Sequence, residues 1–337
     1  MGRLSEMNDV VQGFPKKPVI TFGEPLVACI PQTRGTGMAM CQFSTESAGA
    51  ELNTAIGLAR LNVPVAYAAT VGSDPFGRLV CRDLGAEGVD ASRVTRSVGG
   101  QTGVLFKQWR GLAGDTDVYY YRSGSPMAVG EWDVGQVHRD IAASVFCWLH
   151  STGITWMIGE QTRAQASELL QLACNTGMPI SFDVNVRLKL GSALSWREMV
   201  ETVCPFVTWI LLGDSEAYLL YGTREPDSLE ERFRERGFAG QGVIIKQGDQ
   251  GATAVVRGVE TKVDAWPISQ VMDTVGAGDG FNAGWIAGTL LGWELQRSLR
   301  LGALVGAYAV TSAGDSSGYP YWEETVAHID GTEGIAR

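Results

Sequence analysis

The chain has 337 residues, 45% of them hydrophobic and 19% charged, with a formal net charge of -10. That length and apolar content suffice for one large α/β domain with a sizeable core. The acidic balance, without any Lys/Arg cluster able to neutralise several phosphates, excludes a nucleic-acid footprint and leaves a small molecule as the expected partner.

Residues 1–17 lack the apolar stretch of a signal peptide, and no run reaches the roughly 18 apolar residues of a membrane span. They are expected to form a mobile tail ahead of a single domain over 18–337, with no membrane partner. Six cysteines (Cys29, Cys41, Cys81, Cys147, Cys174, Cys204) are scattered without a C-x-x-C pair, mostly among apolar neighbours. They are read as buried free thiols in a reducing compartment, so the expected location is cytoplasmic.

In chain order, the apolar run "PVITFG" (18–23) predicts a first buried strand, followed by a short Gly-rich segment at 29–45 and a helix in "AELNTAIGLARL". A strand at 63–70 ("VPVAYAAT") comes next. Over 102–122, "TGVLFKQW" and "TDVYYYR" read as consecutive strands with no helix between them, which predicts a small β appendage together with 29–45. Strands at 144–150, 178–184, 207–212 and 242–248 then alternate with helical patterns such as "QASELLQLAC", "DSEAYLLYG" and "DSLEERFRERG". That rhythm predicts βαβ units in a mostly parallel sheet covered by helices on both faces, with the β appendage as a lid over the crevice at the strand ends.

The stretch "DTVGAGDGFNAGWIAG" (273–288) places glycines where an apolar helix begins. A helix N-terminus offers unpaired N–H groups and the positive end of the macrodipole, and so attracts anions. Gly276, Ala277 and Gly278 would let those amides approach a phosphate. A carboxylate beside them is out of place unless Asp279 takes the proton of a hydroxyl that attacks the phosphate. The same spacing also suits a helix cap with packing glycines.

Two strand ends add polar groups in alternation. Strand periodicity puts Tyr120 and Arg122 on one face and Tyr119 and Tyr121 on the other. Arg122 offers a fork for a carboxylate, or a solvated lid charge. In "SFDVNVRLKL" the residues Asp183, Asn185 and Arg187 alternate at the carboxyl end of a buried strand, where open α/β sheets bind ligands. "GDSSG" (314–318) fits a nucleophile-elbow pattern around Ser316, but it follows a helical segment instead of a strand, and His328 precedes Asp330.

The heptapeptide from Asp273 to Asp279 resembles the D-T-x-G-A-G-D signature of the ribokinase-like (PfkB) carbohydrate kinases, matched by Asp273, Thr274, Gly276, Ala277, Gly278 and Asp279. The resemblance extends through "TFGEPLVACIP", "SAGAELNTAIGLARL", "VGSDPFG", "YYYRSGSPMAV" and "SAGDSSGYPYWEE". Within the family, "GEPLVA", "GAELN", "YYRSGS" and "FDVNVRLKL" are most similar to 2-keto-3-deoxygluconate kinases.

The resemblance implies a ribokinase-like fold and transfer of the ATP γ-phosphoryl to a primary hydroxyl of a sugar acid, with Mg²⁺. Asp279 is then the expected base and Gly276 to Gly278 the anion hole. Gly49 and Asn53 fall in the substrate segment, where Ala48 replaces a usual glycine, and Tyr120, Arg122, Asn185 and Arg187 join them. Asp183 or Asn185 is expected near phosphates or substrate. Lys246, Gly248, Gly251, Thr274, Gly276 and Gly278 are expected at the nucleotide, with Thr311 near the adenine. Glu216 is expected to act on Mg²⁺ through water, although Gly213 replaces the Asn of the family's N-x-x-E motif. Alternatives are a fructokinase-like or 5-dehydro-2-deoxygluconate kinase, or a non-catalytic sensor on the same fold. Exposed aromatic lid strands make a homodimer through the lid the expected assembly.

Overall fold

The computed structural model describes residues 13–32, 42–109 and 116–329. In chain order the first strands are β1 (Val19–Phe22), β2 (Leu26–Pro31), β3 (Phe43–Ala48), β4 (Val65–Gly72), β5 (Asp90–Ser97), β6 (Gly103–Trp109) and β7 (Thr116–Tyr121). After them come β8 (Trp148–Thr152), β9 (Ile180–Asp183), β10 (Trp209–Gly213), β11 (Gly242–Lys246), β12 (Ala252–Val256) and β13 (Val259–Val263).

Nine of them form one sheet in the order β13-β12-β11-β10-β9-β8-β1-β4-β5. Every pairing from β11 to β5 is parallel, and β12 and β13 add an antiparallel edge. Strands β1, β4, β8 and β9 are buried at every position, as a parallel sheet covered on both faces requires. All six runs read as buried strands fall in this sheet. Strands β5 and β13, which carry exposed polar residues, were not apparent from apolar runs, and neither was the short buried β12.

The remaining four strands form a separate sheet in the order β3-β2-β6-β7. Its inner face buries Leu26, Ala28, Ile30, Ala48, Leu105 and Trp109 as a small core of its own. The expected appendage is present, with wider limits than 29–45: β2 begins at Leu26 and β3 runs to Ala48, because this strand pair is in register from Leu26 opposite Ala48 to Pro31 opposite Phe43. Residues 33–41 and 110–115 lie outside the described residues.

Two further expectations change. The packed domain begins ahead of residue 18, since Phe14 is buried with its ring edge-on to Trp322, and the Lys17 carbonyl accepts from Cys147 Sγ. Residues 1–12 lie outside the described part. Of the cysteines, Cys29 and Cys204 are buried, whereas Cys81, Cys147 and Cys174 are half-buried; all five are free, and Cys41 is not among the described residues. Among the described residues no helix is long and apolar enough to cross a membrane.

The helix Ala277–Leu290 runs through the centre, with Trp285 packed edge-on between Trp148 of β8 and Trp209 of β10. Aromatic pairs of this geometry fix the helix against the sheet. Its N-terminus therefore meets the carboxyl ends of the parallel strands beneath the lid sheet.

Candidate active site

A cavity of about 1250 Å³ opens at that junction. Its walls come from the carboxyl ends of β9, β10 and β11, the segments after β1 and β7, the start of the helix Ala50–Arg60 and the start of the helix Ala277–Leu290. This is where open α/β sheets bind ligands.

Asp279 is 7% exposed and stands in the first turn of its helix. Asn53 Nδ2 donates to its Oδ2 at 2.8 Å, and Asn185 Nδ2 to its Oδ1 at 3.3 Å. Asn185 reaches it from a left-handed backbone conformation, φ 48°, directly after β9. Burial pushes the Asp279 carboxyl up to about 8, with the Asp183 charge adding to the effect and Asn53, Lys246 and Arg187 opposing it. A carboxyl near neutrality, held by two amides at a helix N-terminus, is suited to accept a proton.

The turn before the helix depends on Gly276. Its φ of 89° is left-handed, and a Cβ there would overlap the Asp315 carbonyl oxygen. Tyr319 donates its hydroxyl to the Gly276 carbonyl at 2.6 Å, which fixes that peptide. A Cβ on Gly278 would stand 3.2 Å from Lys246 Nζ, so the glycine leaves the ammonium open to the helix start. Opposite, Gly49 has φ 139° and lies where a Cβ would be 2.6 Å from the Glu24 carbonyl oxygen.

Lys246, Asp183 and Glu216 form the far wall. Lys246 Nζ bonds Asp183 Oδ2 at 2.7 Å, and Asn282 Nδ2 donates to the same oxygen at 2.8 Å. Asp183 Oδ1 is sealed from solvent without a hydrogen-bond partner among the described residues. Glu216 accepts from the backbone N–H of Gly213 at 2.8 Å and of Val186 at 2.7 Å. It thereby satisfies the N-cap amide of the helix Asp214–Tyr221 and ties the segment after β9 to that helix. Burial, then the Asp183 charge, raises its carboxyl above the ordinary range.

The two arginines differ. Arg122 follows β7 and forms a buried ion pair with Glu24, whose carboxylate also accepts from the Ser125 hydroxyl; the guanidinium lies 5.4 Å from the Tyr120 ring centroid. This corrects the picture of Arg122 as an open fork: its charge is already balanced by a carboxylate from the segment after β1. Burial nevertheless raises Glu24 above its usual range, against the pull of Arg122. Arg187 forms no salt bridge among the described residues and donates Nη1 to the Val186 carbonyl at 2.9 Å. Burial would weaken its charge, but Tyr120, Glu216 and Asp279 outweigh that and hold it protonated.

Asp279, Gly276, Gly278, Gly49, Asn53, Tyr120, Arg122, Asn185, Arg187, Lys246, Thr274 and Glu216 all line the one cavity. Ala277, Gly248, Gly251 and Thr311 do not: Gly248 and Gly251 form the turn between β11 and β12, Ala277 is half-buried against the core, and Thr311 is exposed after the helix Leu295–Ala309. Tyr119 and Tyr121 are exposed on the face opposite the one where Val118 and Tyr120 pack against the lid core, as period-two alternation expects, although both also reach the cavity edge. Ser316 is buried in a loop after a helix, and its carbonyl accepts from Arg60 Nη1 at 3.0 Å.

Sequence reasoning passed over Glu24, Glu51 and Lys107. Glu51 Oε1 accepts from Thr152 N, Thr152 Oγ1 and Thr155 Oγ1 at 3.0, 2.9 and 2.7 Å. A signal for Lys107 was present: in "GVLFKQW" it keeps period-two phase with the buried Leu105 and Trp109.

Residues 16–322 match the model of the pfkB family carbohydrate kinases. The chain is 33% identical to the 2-dehydro-3-deoxygluconokinase of Bacillus subtilis, covering 93% of this chain and 96% of that one. It is 30% identical to the 2-dehydro-3-deoxygluconokinase of Thermoproteus tenax, over 90% and 91% of the two chains. A putative ribokinase II of E. coli, solved in complex with ATP and Mg²⁺, superposes with a TM-score of 0.81 at 25% identity, over 93% of this chain and 99% of that one. The chain therefore belongs to the pfkB family of carbohydrate kinases.

Proposed function

We propose that this carbohydrate kinase transfers the γ-phosphoryl of ATP to the terminal hydroxyl of a sugar acid, with 2-keto-3-deoxygluconate as the preferred substrate. The observation that carries the reading is Asp279: a buried carboxyl titrating near 8, gripped by Asn53 and Asn185, at the glycine-flanked start of a helix. Asp279 accepts the hydroxyl proton as the new O–P bond forms and the bond to ADP breaks. The backbone amides around Gly276 and Gly278, with the nearby Lys246 ammonium, stabilise the charge on the transferring phosphoryl.

The substrate class rests on Arg187, a protonated guanidinium in the cavity wall with no carboxylate bonded to it among the described residues. A sugar acid would supply that carboxylate in a fork. The curated relatives named above act on 2-dehydro-3-deoxygluconate, the same compound, which supports this reading. The Arg122–Glu24 pair gives the other wall one fixed cation and one acceptor for substrate hydroxyls.

Mg²⁺ fits the far wall as a nucleotide-borne ion. Among the described residues no group of three acidic, Cys or His side chains forms a metal cage. The unpartnered Asp183 Oδ1, with Glu216 nearby, would hold the ion's waters, in keeping with magnesium's reluctance to dehydrate. Bound there, Mg²⁺ supplies charge neutralisation for the phosphates. The outer face of the lid exposes Phe43, Tyr119 and Tyr121, which supports a homodimer formed through that sheet.

An ADP-release assay with Mg·ATP tests the substrate. Compared by kcat/KM, 2-keto-3-deoxygluconate should exceed its galacto epimer, 5-dehydro-2-deoxygluconate, fructose and ribose. Preference for a neutral sugar would keep the kinase and overturn the role given to Arg187.

A further inference from the structure

Behind the anion hole lies an ammonium sealed from water. Lys107 belongs to lid strand β6, yet its side chain is fully buried and bonds Asp273 Oδ2 at 2.7 Å, the Asp315 carboxylate, and the Ala313 carbonyl at 3.3 Å. The other oxygen of Asp273 accepts from Thr116 Oγ1 of β7 at 3.0 Å and from Val275 N at 3.2 Å. Asp315 N donates to Glu46 Oε1 of β3 at 2.7 Å. Three strands of the lid sheet thus grip two segments, Asp273–Val275 and Ala313–Asp315, and these segments enclose Gly276, whose α-carbon faces the Asp315 carbonyl.

We propose that Lys107 is a positioning residue for phosphoryl transfer, fixing the backbone around Gly276 and cancelling negative charge behind it, so that the lid sheet and the anion hole act as one piece. The proposal rests on reading Gly276 to Gly278 as the anion hole. Two arguments favour this over a purely structural role. Apolar residues of similar volume would be as stable as a buried cation with two carboxylates, so stability alone does not account for the arrangement. Without the ammonium, Asp273 and Asp315 would put two carboxylates behind amides that must attract a phosphoryl, and charges in a water-poor site act strongly at such distances.

The test compares Lys107→Met, which keeps length and removes charge, with Asp315→Asn, which keeps size and weakens only one contact. Each is measured for kcat at saturating Mg·ATP and for sugar-acid Kd by calorimetry without nucleotide, normalised to folded protein, beside Asp279→Asn. A loss of kcat of about 100-fold for Lys107→Met and about 10-fold for Asp315→Asn, with sugar-acid Kd within about threefold of the parent, is expected, on the scale of losing an oxyanion-hole contact. If Lys107→Met does not fold, Asp315→Asn decides by the same criterion. Parent-like kcat in the folded variants, with only a lowered Tm, would overturn the proposal. Joint loss of kcat and sugar-acid affinity would do the same, since it marks general disruption of the site. If Asp279→Asn itself turns over normally, the anion-hole and base reading fails first, and that outcome is distinct from a dead Asp279→Asn beside normal Lys107 and Asp315 variants.

Discussion

Asn53 and Asp279 lie 226 positions apart in sequence and meet in a 2.8 Å hydrogen bond at the floor of the cavity. The bond joins the start of the helix Ala50–Arg60 to the start of the helix Ala277–Leu290, and Thr54 adds a second contact by donating to the Asp279 carbonyl at 3.3 Å. The starts of these two helices are therefore fastened to each other at the cavity floor. Neither contact involves the lid sheet, so the Asp279 carboxyl, the proposed base, is oriented independently of it.

The pH dependence of turnover follows from the Asp279 carboxyl. A base works when ionised, and burial raises this group to about 8, so about a tenth of the free enzyme is competent at pH 7. We expect kcat/KM to rise about tenfold per pH unit below that value and to level off above it. A profile flat between pH 6 and 9 would contradict the assignment.

The two arginines should separate in mutagenesis. Arg187→Ala should raise KM for sugar acids far more than for neutral sugars while leaving Tm near the parent value. Arg122→Ala strands the buried Glu24 carboxylate, and breaking such a pair costs roughly 3–5 kcal/mol. A large Tm loss is expected there, relieved in part by Glu24→Gln. Thermal denaturation beside substrate kinetics checks both, and equal behaviour of the two variants would refute the division of roles.

Glu46 should leave a mark on stability. Burial first, then the Asp315 charge, raises its carboxyl to about 7 from an ordinary 4.5. The native state holds more protons than the unfolded state between those values, so this contribution is full below about pH 4.5 and is lost as pH rises through about 7. Urea denaturation at several pH values should show Glu46→Gln losing stability less steeply with pH across that window than the parent. Identical slopes would place the titration elsewhere.

Much of this was legible in the sequence, for physical reasons. Strands such as β1, β9 and β11 are buried on both faces and read as apolar runs, and the glycines around Gly276 announce a helix start near an anion. Local signals of this kind survive without tertiary context. The Glu24–Arg122 and Lys107–Asp273 pairs were not legible, because each joins elements that only the folded topology brings together, and a lone charged residue in a strand pattern does not name its partner. Glu216 illustrates a different limit: a motif position identified its neighbourhood, but its bonds to Gly213 and Val186 amides became visible only once the loop after β9 was placed. Edge strand β13 escaped because its exposed polar positions break the apolar pattern, and β12 because a five-residue run opening on Ala-Thr-Ala carries little apolar signal.

The proposed chemistry turns on Asp279 taking the proton from the attacking hydroxyl. The most direct measurement is single-turnover phosphoryl transfer by Asp279→Asn, with sugar-acid and Mg·ATP affinities measured by calorimetry on the same protein. With Asp279 as the base, affinities should stay within about threefold of the parent while the transfer rate falls by a factor on the order of 100 to 10,000, the usual worth of a positioned base. A transfer rate close to that of the parent, with both ligands bound, would contradict it.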